Sequence, residues 1–148
     1  MNRKGPERQN NTLAVRSEKD WMMTGDGGRR GIVGRRGEEV AAAYLMAAGH
    51  TVLARNWRCG HLEIDIISMA ADGIHFVEVK SRVLPMEAAP EENVGPAKRR
   101  KLLAAAGKWL ERNGIYDTDC VFDIVSVVFD GDRYTVQYFP QAFIPLFM

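Results

Sequence analysis

Cysteine is scarce in this chain: Cys59 and Cys120 are the only two in 148 residues. Two allow a single disulfide at most, with two lone thiols the favoured reading. Neither sits in a C-x-x-C pair or has a histidine at ligand spacing, which argues against a zinc site and for two lone thiols in a reducing compartment. Long apolar runs are missing too. Nothing approaches the roughly 18–20 residues of a membrane span, and the polar, charged start has no apolar leader segment. These absences predict a cytoplasmic chain with no membrane partner. Nucleotide-binding loops are also absent: Gly25-Asp26-Gly27-Gly28 is not followed by Gly-Lys-Ser/Thr, and there is neither a dinucleotide fingerprint nor a nucleophile elbow. His50, His61 and His75 have no H-E-x-x-H spacing; His61, nearest the acidic residues discussed below, reads as a surface residue.

Net charge is low, at +1, but unevenly spread. Residues 1–36 carry nine Lys/Arg against four Asp/Glu; residues 37–148 carry eleven against fifteen. A basic arm on a mildly acidic body suits a polyanionic partner, although a solvated tail has the same composition. Residues 1–30 read as irregular. We divide the chain into a basic, partly disordered arm (1–33) and one domain (34–148), a size that can bury a core unaided.

Order is expected from Gly37. Val40, Ala41, Tyr44, Leu45 and Ala48 recur at helical spacing, predicting a helix over 38–48 capped by Gly49. Three strands follow, at 51–57, 62–69 and 74–82, the last two joined by a hairpin at Asp72-Gly73. Residues 83–95 read as a loop with Pro85, Pro90, Glu87, Glu91 and Glu92. Pro96 opens a second helix over 97–112, with Leu102, Leu103, Ala106, Trp109 and Leu110 as its apolar stripe. A strongly apolar, central strand at 120–129 turns at Asp130-Gly131 into another at 133–139. The apolar tail 143–148 is expected to pack on the body or on a second subunit. The order α-β-β-β-α-β-β predicts an α/β fold, a mixed sheet flanked by helices.

Strand alternation assigns Leu62, Ile64 and Ile66 to one face of the second strand, and Glu63 and Asp65 to the other. On the third strand Glu78 and Lys80 share a face. Antiparallel pairing across the hairpin makes Asp65 and Glu78 neighbours among Ile64, Ile66, Ile67, Phe76, Val77 and Val79. Carboxylates in such surroundings need partners. One lysine does not balance two or three of them, whereas a divalent cation prefers oxygen ligands. Asp65, Glu78 and Lys80 therefore form a candidate catalytic set for metal-assisted phosphodiester hydrolysis. Glu-x-Lys on a strand is equally the pattern of a surface ion pair.

Several segments carry a resemblance. Gly37-Glu38-Glu39-Val40-Ala41-Ala42-Ala43-Tyr44-Leu45, Leu53-Ala54-Arg55-Asn56-Trp57-Arg58, Glu63-Ile64-Asp65-Ile66-Ile67, Phe76-Val77-Glu78-Val79-Lys80-Ser81-Arg82 and Phe122-Asp123-Ile124-Val125 together resemble the YraN-like family of small bacterial proteins. That family is in turn similar to the PD-(D/E)XK nucleases, archaeal Holliday junction resolvases in particular. The resemblance covers roughly residues 34–129. It implies a restriction-endonuclease-like sheet, with Asp65 and Glu78 as Mg²⁺ or Mn²⁺ ligands, Glu38 as a further metal-site acid from the first helix, and Lys80 as the Glu-x-Lys lysine. It also implies a DNA substrate, branched DNA by analogy with the resolvases, and a homodimer if two strands are cut. Two positions depart from the family pattern: Leu62 replaces a glycine before Glu-Ile-Asp, and Val121 replaces an arginine before Phe-Asp.

Lys98-Arg99-Arg100-Lys101 places four cations at a helix N-terminus, where they oppose the macrodipole and repel one another; a phosphate would relieve both, and a plain solvated face is the equal alternative. These residues, with Arg55 and Arg58, are the candidate nucleic-acid contacts, DNA before RNA. The alternatives are a non-catalytic nucleic-acid-binding module of the same fold, and a protein–protein interaction module using the apolar tail.

Overall fold

The structure, a computed structural model, describes residues 11–14, 29–85 and 94–143, with side chains from residue 31 onward. Its elements are β1 (Asn11–Ala14), α1 (Arg29–Ala47), β2 (Thr51–Cys59), β3 (Leu62–Ala70), β4 (Gly73–Val83), α2 (Pro96–Arg112), β5 (Cys120–Asp130) and β6 (Arg133–Phe143). The expected α/β fold, a mixed sheet flanked by two helices, is what forms. The sheet order is β1-β6-β5-β4-β3-β2. β4 and β5 run parallel, joined through α2, and the other neighbours are antiparallel.

Two cores sit on opposite faces of the sheet. Under α2, Ile64, Ile67, Phe76, Leu102, Trp109, Phe122 and Ile124 pack together. Under α1, Val40, Ala41, Leu45, Ile66, Val77, Val125 and Val127 do so. β5 contributes to both, which explains its nearly unbroken apolar run and its place between β4 and β6. Each fully buried large side chain contributes about 1.5–3 kcal/mol relative to exposure. The two Asp-Gly hairpins form as expected, Ala70 pairing with Gly73 and Asp130 with Arg133.

Three expectations need correction. Asn11–Ala14, in the arm read as irregular, adds an edge strand antiparallel to β6; a four-residue run is too short to show periodicity. α1 starts at Arg29 rather than residue 38. Gly37, the expected start of order, lies inside the helix as a packing position: a Cβ there would lie 1.7 Å from Ser81 Oγ, so glycine lets α1 rest on β4. The face assignment also fails in part. Leu62 and Ile64 pack toward α2 but Ile66 packs toward α1, because the alternation of β3 slips at Asp65, where the strand parts from β4. Of the tail, Phe143 packs on the body, its ring 4.8 Å from Phe122; residues 144–148 and 86–93 lie outside the described residues.

Candidate active site

β3 and β4 pair from the hairpin only as far as Ile66 opposite Val77. Beyond that point β3 stays with β2, and β4 stays with β5 as far as Val83. The two strands therefore open into a V, leaving an edge of β4 without a strand partner. Backbone N–H groups at such an edge need acceptors. Asp65 supplies one: its Oδ2 accepts the Val79 N–H at 2.8 Å. The bond holds the carboxylate inside the V.

A cleft of about 870 Å³ occupies the opening. Glu38 from α1, Glu63 and Asp65 from β3, and Glu78 and Arg82 from β4 line it, with Val33, Val79, Ser81, Val83, Leu84 and Pro85. The Gly37–Ser81 contact brings α1 down on β4 and so sets Glu38 over the cleft. Thus folding gathers Glu38, Asp65 and Glu78, together with Glu63.

Burial perturbs all three predicted acids, and neighbouring carboxylates add to it. Glu78 is pushed up to about 7 by burial and then by the Asp65 charge, with Lys98 pulling the other way. Burial also raises Asp65, with Glu63 adding to it, against the Val79 N–H, Lys98 and a hydrogen bond with Glu78. Glu38 is raised by burial and by Asp65, and opposed by a hydrogen bond to Asn56 and by the Arg55 charge. Asn56 sits in the left-handed region at φ 50°, which asparagine tolerates better than most residues.

The basic candidates fare differently. Lys80 is half-buried on β4, in register with Ser126 and two residues from Glu78, but it is not among the cleft-lining residues. The cation that meets Glu78 is Lys98, whose Nζ lies 3.5 Å from Oε1. Arg99 is engaged elsewhere: its Nε donates to the Val94 carbonyl at 2.7 Å, and its guanidinium lies 5.5 Å from the centre of the Phe143 ring. Arg100 and Lys101 are exposed on α2. Arg55 is exposed beside Glu38, and Arg58 is exposed and 3.6 Å from Glu63. Sequence reasoning counted Glu63 as a possible third carboxylate without placing it in the site, and passed over Asn56 and Arg82. Glu63 had a signal, since it is two residues from Asp65 on the same strand.

Among the described residues no three His, Cys, Asp or Glu already stand as a metal-ligand group. The donor chemistry nonetheless fits a hard divalent cation: carboxylate oxygens from three elements face one cleft, and the Asp65 charge raises the pKa of Glu78 beside it.

A second polar cluster lies under α1. His75 holds Asp123 Oδ2 at 2.5 Å through Nδ1 and Asp72 Oδ1 at 2.6 Å through Nε2. Tyr138 donates its hydroxyl to Asp123, and the Gln141 N–H donates to Asp123 Oδ1 at 2.9 Å. His50, distant in sequence, stands edge-on to His75 at 4.5 Å. Both cysteines are free, as expected. None of the described helices is long and apolar enough to cross a membrane.

Residues 37–127 match the uncharacterised protein family UPF0102. The chain belongs to that family. It is the YraN-like family that the motifs resembled, and the nuclease resemblance is consistent with membership. A UPF0102 protein of Anaeromyxobacter dehalogenans is 40% identical over 119 residues, covering 80% of this chain and 89% of that one. One from Nitratidesulfovibrio vulgaris is 41% identical over 114 residues, covering 77% and 85%. One from Oleidesulfovibrio alaskensis is 52% identical over 94 residues, covering 64% of this chain and 46% of its own length. All the cleft acids lie within the 37–127 match. The names of these UPF0102 relatives state no activity.

Proposed function

We propose that this UPF0102 protein is a metal-dependent phosphodiester hydrolase acting on nucleic acid, DNA before RNA, with branched DNA as the preferred substrate by resemblance to the resolvases. The observation that carries the reading is Asp65, pinned by the Val79 N–H at 2.8 Å in the V between β3 and β4, facing a Glu78 whose pKa is pushed up to about 7. A structural acid at a strand end has no need of a second buried carboxylate beside it. Burial and the Asp65 charge together make an ionised Glu78 unfavourable, and a divalent cation relieves that.

Asp65 and Glu78, with Glu38 from α1, would hold Mg²⁺ or Mn²⁺. Bound there, the ion would supply charge neutralisation at the phosphate and a water of lowered pKa. The chain's own groups do the rest. The Val79 N–H fixes one carboxylate so that little reorganisation is needed. Lys98 balances Glu78 in the absence of another cation. Lys80 takes the role of orienting the attacking water by resemblance to the Glu-x-Lys pattern alone, since it lies outside the cleft lining. The exposed Arg100 and Lys101 on α2, and Arg55 and Arg58 on β2, contribute sequence-independent attraction to the phosphate backbone.

The test is cleavage of branched, flapped and single-stranded DNA in Mn²⁺ by the full chain, beside Asp65→Asn. Manganese-dependent cutting that the variant abolishes supports the hydrolase. Salt-sensitive binding without cutting converts the reading to a binding module, and neither binding nor cutting leaves only a protein-interaction role.

A further inference from the structure

Arg82 is the sole Lys or Arg among the described residues that line the acidic cleft. Its Nε is buried and has no hydrogen-bond partner among the described residues. A charged N–H removed from water without an acceptor is costly, and natural structures rarely keep one without a use. Among the described residues no carboxylate meets this Nε; Glu78 pairs instead with Lys98 and Glu63 with Arg58.

We infer that Arg82 is a substrate-positioning residue that grips a backbone phosphate remote from the scissile one, so that the substrate is a polynucleotide strand rather than a mononucleotide or a phosphomonoester. This rests on the cleft being a phosphodiester site. The guanidinium fork matches phosphate geometry, and its charge offsets the repulsion an incoming polyanion meets from Glu38, Glu63, Asp65 and Glu78. Spacing sets which phosphate it takes. Arg82 is four residues along β4 from Glu78 and on the same side, roughly 13 Å at the strand rise. Consecutive nucleotides advance on the order of 3.4 Å along a duplex strand, and about twice that when extended. The gripped phosphate is therefore about two to four nucleotides from the bond at the acids, and a substrate must be long enough to reach both places.

The experiment is a methylphosphonate scan. Labelled oligonucleotides carry one neutral linkage at successive positions. Binding to the full chain is measured in Ca²⁺ before any product forms, for wild type, Arg82→Met and Arg82→Lys. The wild type is expected to lose about tenfold in affinity at one linkage. Arg82→Met should lose a similar amount on the unmodified strand and become indifferent to that linkage. Arg82→Lys, which keeps the charge and guards against a mere folding defect, should fall between them. Arg82→Met that binds as tightly as wild type, or stays equally sensitive at every linkage, overturns the inference. The two readings fail separately: a chain that never cuts in Mn²⁺ but shows the Arg82-linked position loses the hydrolase and keeps the phosphate grip. Asp65-dependent cutting with an indifferent Arg82→Met does the reverse.

Discussion

Asp65 Oδ2 accepts the Val79 N–H at 2.8 Å, standing in for the strand that β4 lacks past Val77. One side chain thus closes the sheet and faces the cleft. The two roles separate by substitution. Asp65→Asn keeps an acceptor oxygen and is expected to keep the fold within about 1 kcal/mol, while abolishing Mn²⁺-dependent cleavage. Asp65→Ala leaves the Val79 N–H unsatisfied and should cost an additional ~1–3 kcal/mol. Urea denaturation of the two variants, beside the DNA cleavage assay, checks the difference; equal stability would mean that the bond is incidental.

The fold was largely legible because its signals are local. Asp72-Gly73 and Asp130-Gly131 mark hairpins, Pro96 and Asn113-Gly114 bracket α2, and the apolar run at 120–129 announces a strand covered on both faces. Asp65 and Glu78 were legible as neighbours because the hairpin between them sets the register. What escaped depends on contacts between elements. Nothing in Gly37 shows that Ser81 will lie against it, and nothing in Lys98 shows that the start of α2 will meet Glu78 rather than solvent. The slip in alternation at Asp65 arises from β3 leaving one neighbour while keeping the other, which a pattern within one strand does not encode.

Gly37 and Ser81 should behave as a coupled pair. A Cβ at residue 37 would lie 1.7 Å from Ser81 Oγ and 2.8 Å from its Cβ. Gly37→Ala gains helix propensity but forces α1 off β4, with a net loss of about 1–3 kcal/mol. Because Glu38 is the next residue, metal-dependent activity should fall further than stability does. Ser81→Gly removes both clashing atoms, so the double variant should recover much of the loss. A double-mutant cycle on denaturation midpoints gives the coupling, expected above 1 kcal/mol; simple additivity would show that the helix relaxes without help.

His75 should make stability depend on pH. Burial pushes its pKa down, but hydrogen bonds to Asp123 and Asp72 outweigh that and leave it raised above 6.5. A histidine raised on folding contributes stability that is fully present below pH 6.5 and is lost as pH climbs through the folded value. His75→Ala removes the cation beside the fully buried Asp123 carboxylate, retaining only the Tyr138 and Gln141 donors. The cost should be about 3–5 kcal/mol at pH 6 and smaller at pH 9. Urea titrations of wild type and variant at the two pH values test this, and a pH-independent difference would remove the imidazolium from the account.

Glu78 carries the opposite consequence for the metal. Its folded pKa of about 7 lies above the ordinary 4.5. The group therefore favours the fold fully only below pH 4.5, and that contribution is lost as pH rises through 7. Above pH 7 the metal-free protein holds an ionised Glu78 next to Asp65, and a divalent cation has most to offer there. Mn²⁺ at a hundredfold its Kd stabilises by about 2.7 kcal/mol, on the order of 5–10 °C in Tm for a domain of this size. Melting curves from pH 5 to 9 should show that gain above pH 7 and little of it below pH 6. Glu78→Gln should flatten the metal-free pH slope and abolish the gain. Lys98→Ala removes the cation 3.5 Å away that holds Glu78 down, so the pH at which Mn²⁺ begins to stabilise should move upward. Equal Mn²⁺ stabilisation at every pH, or its persistence in Glu78→Gln, would take the ion away from this pair of carboxylates.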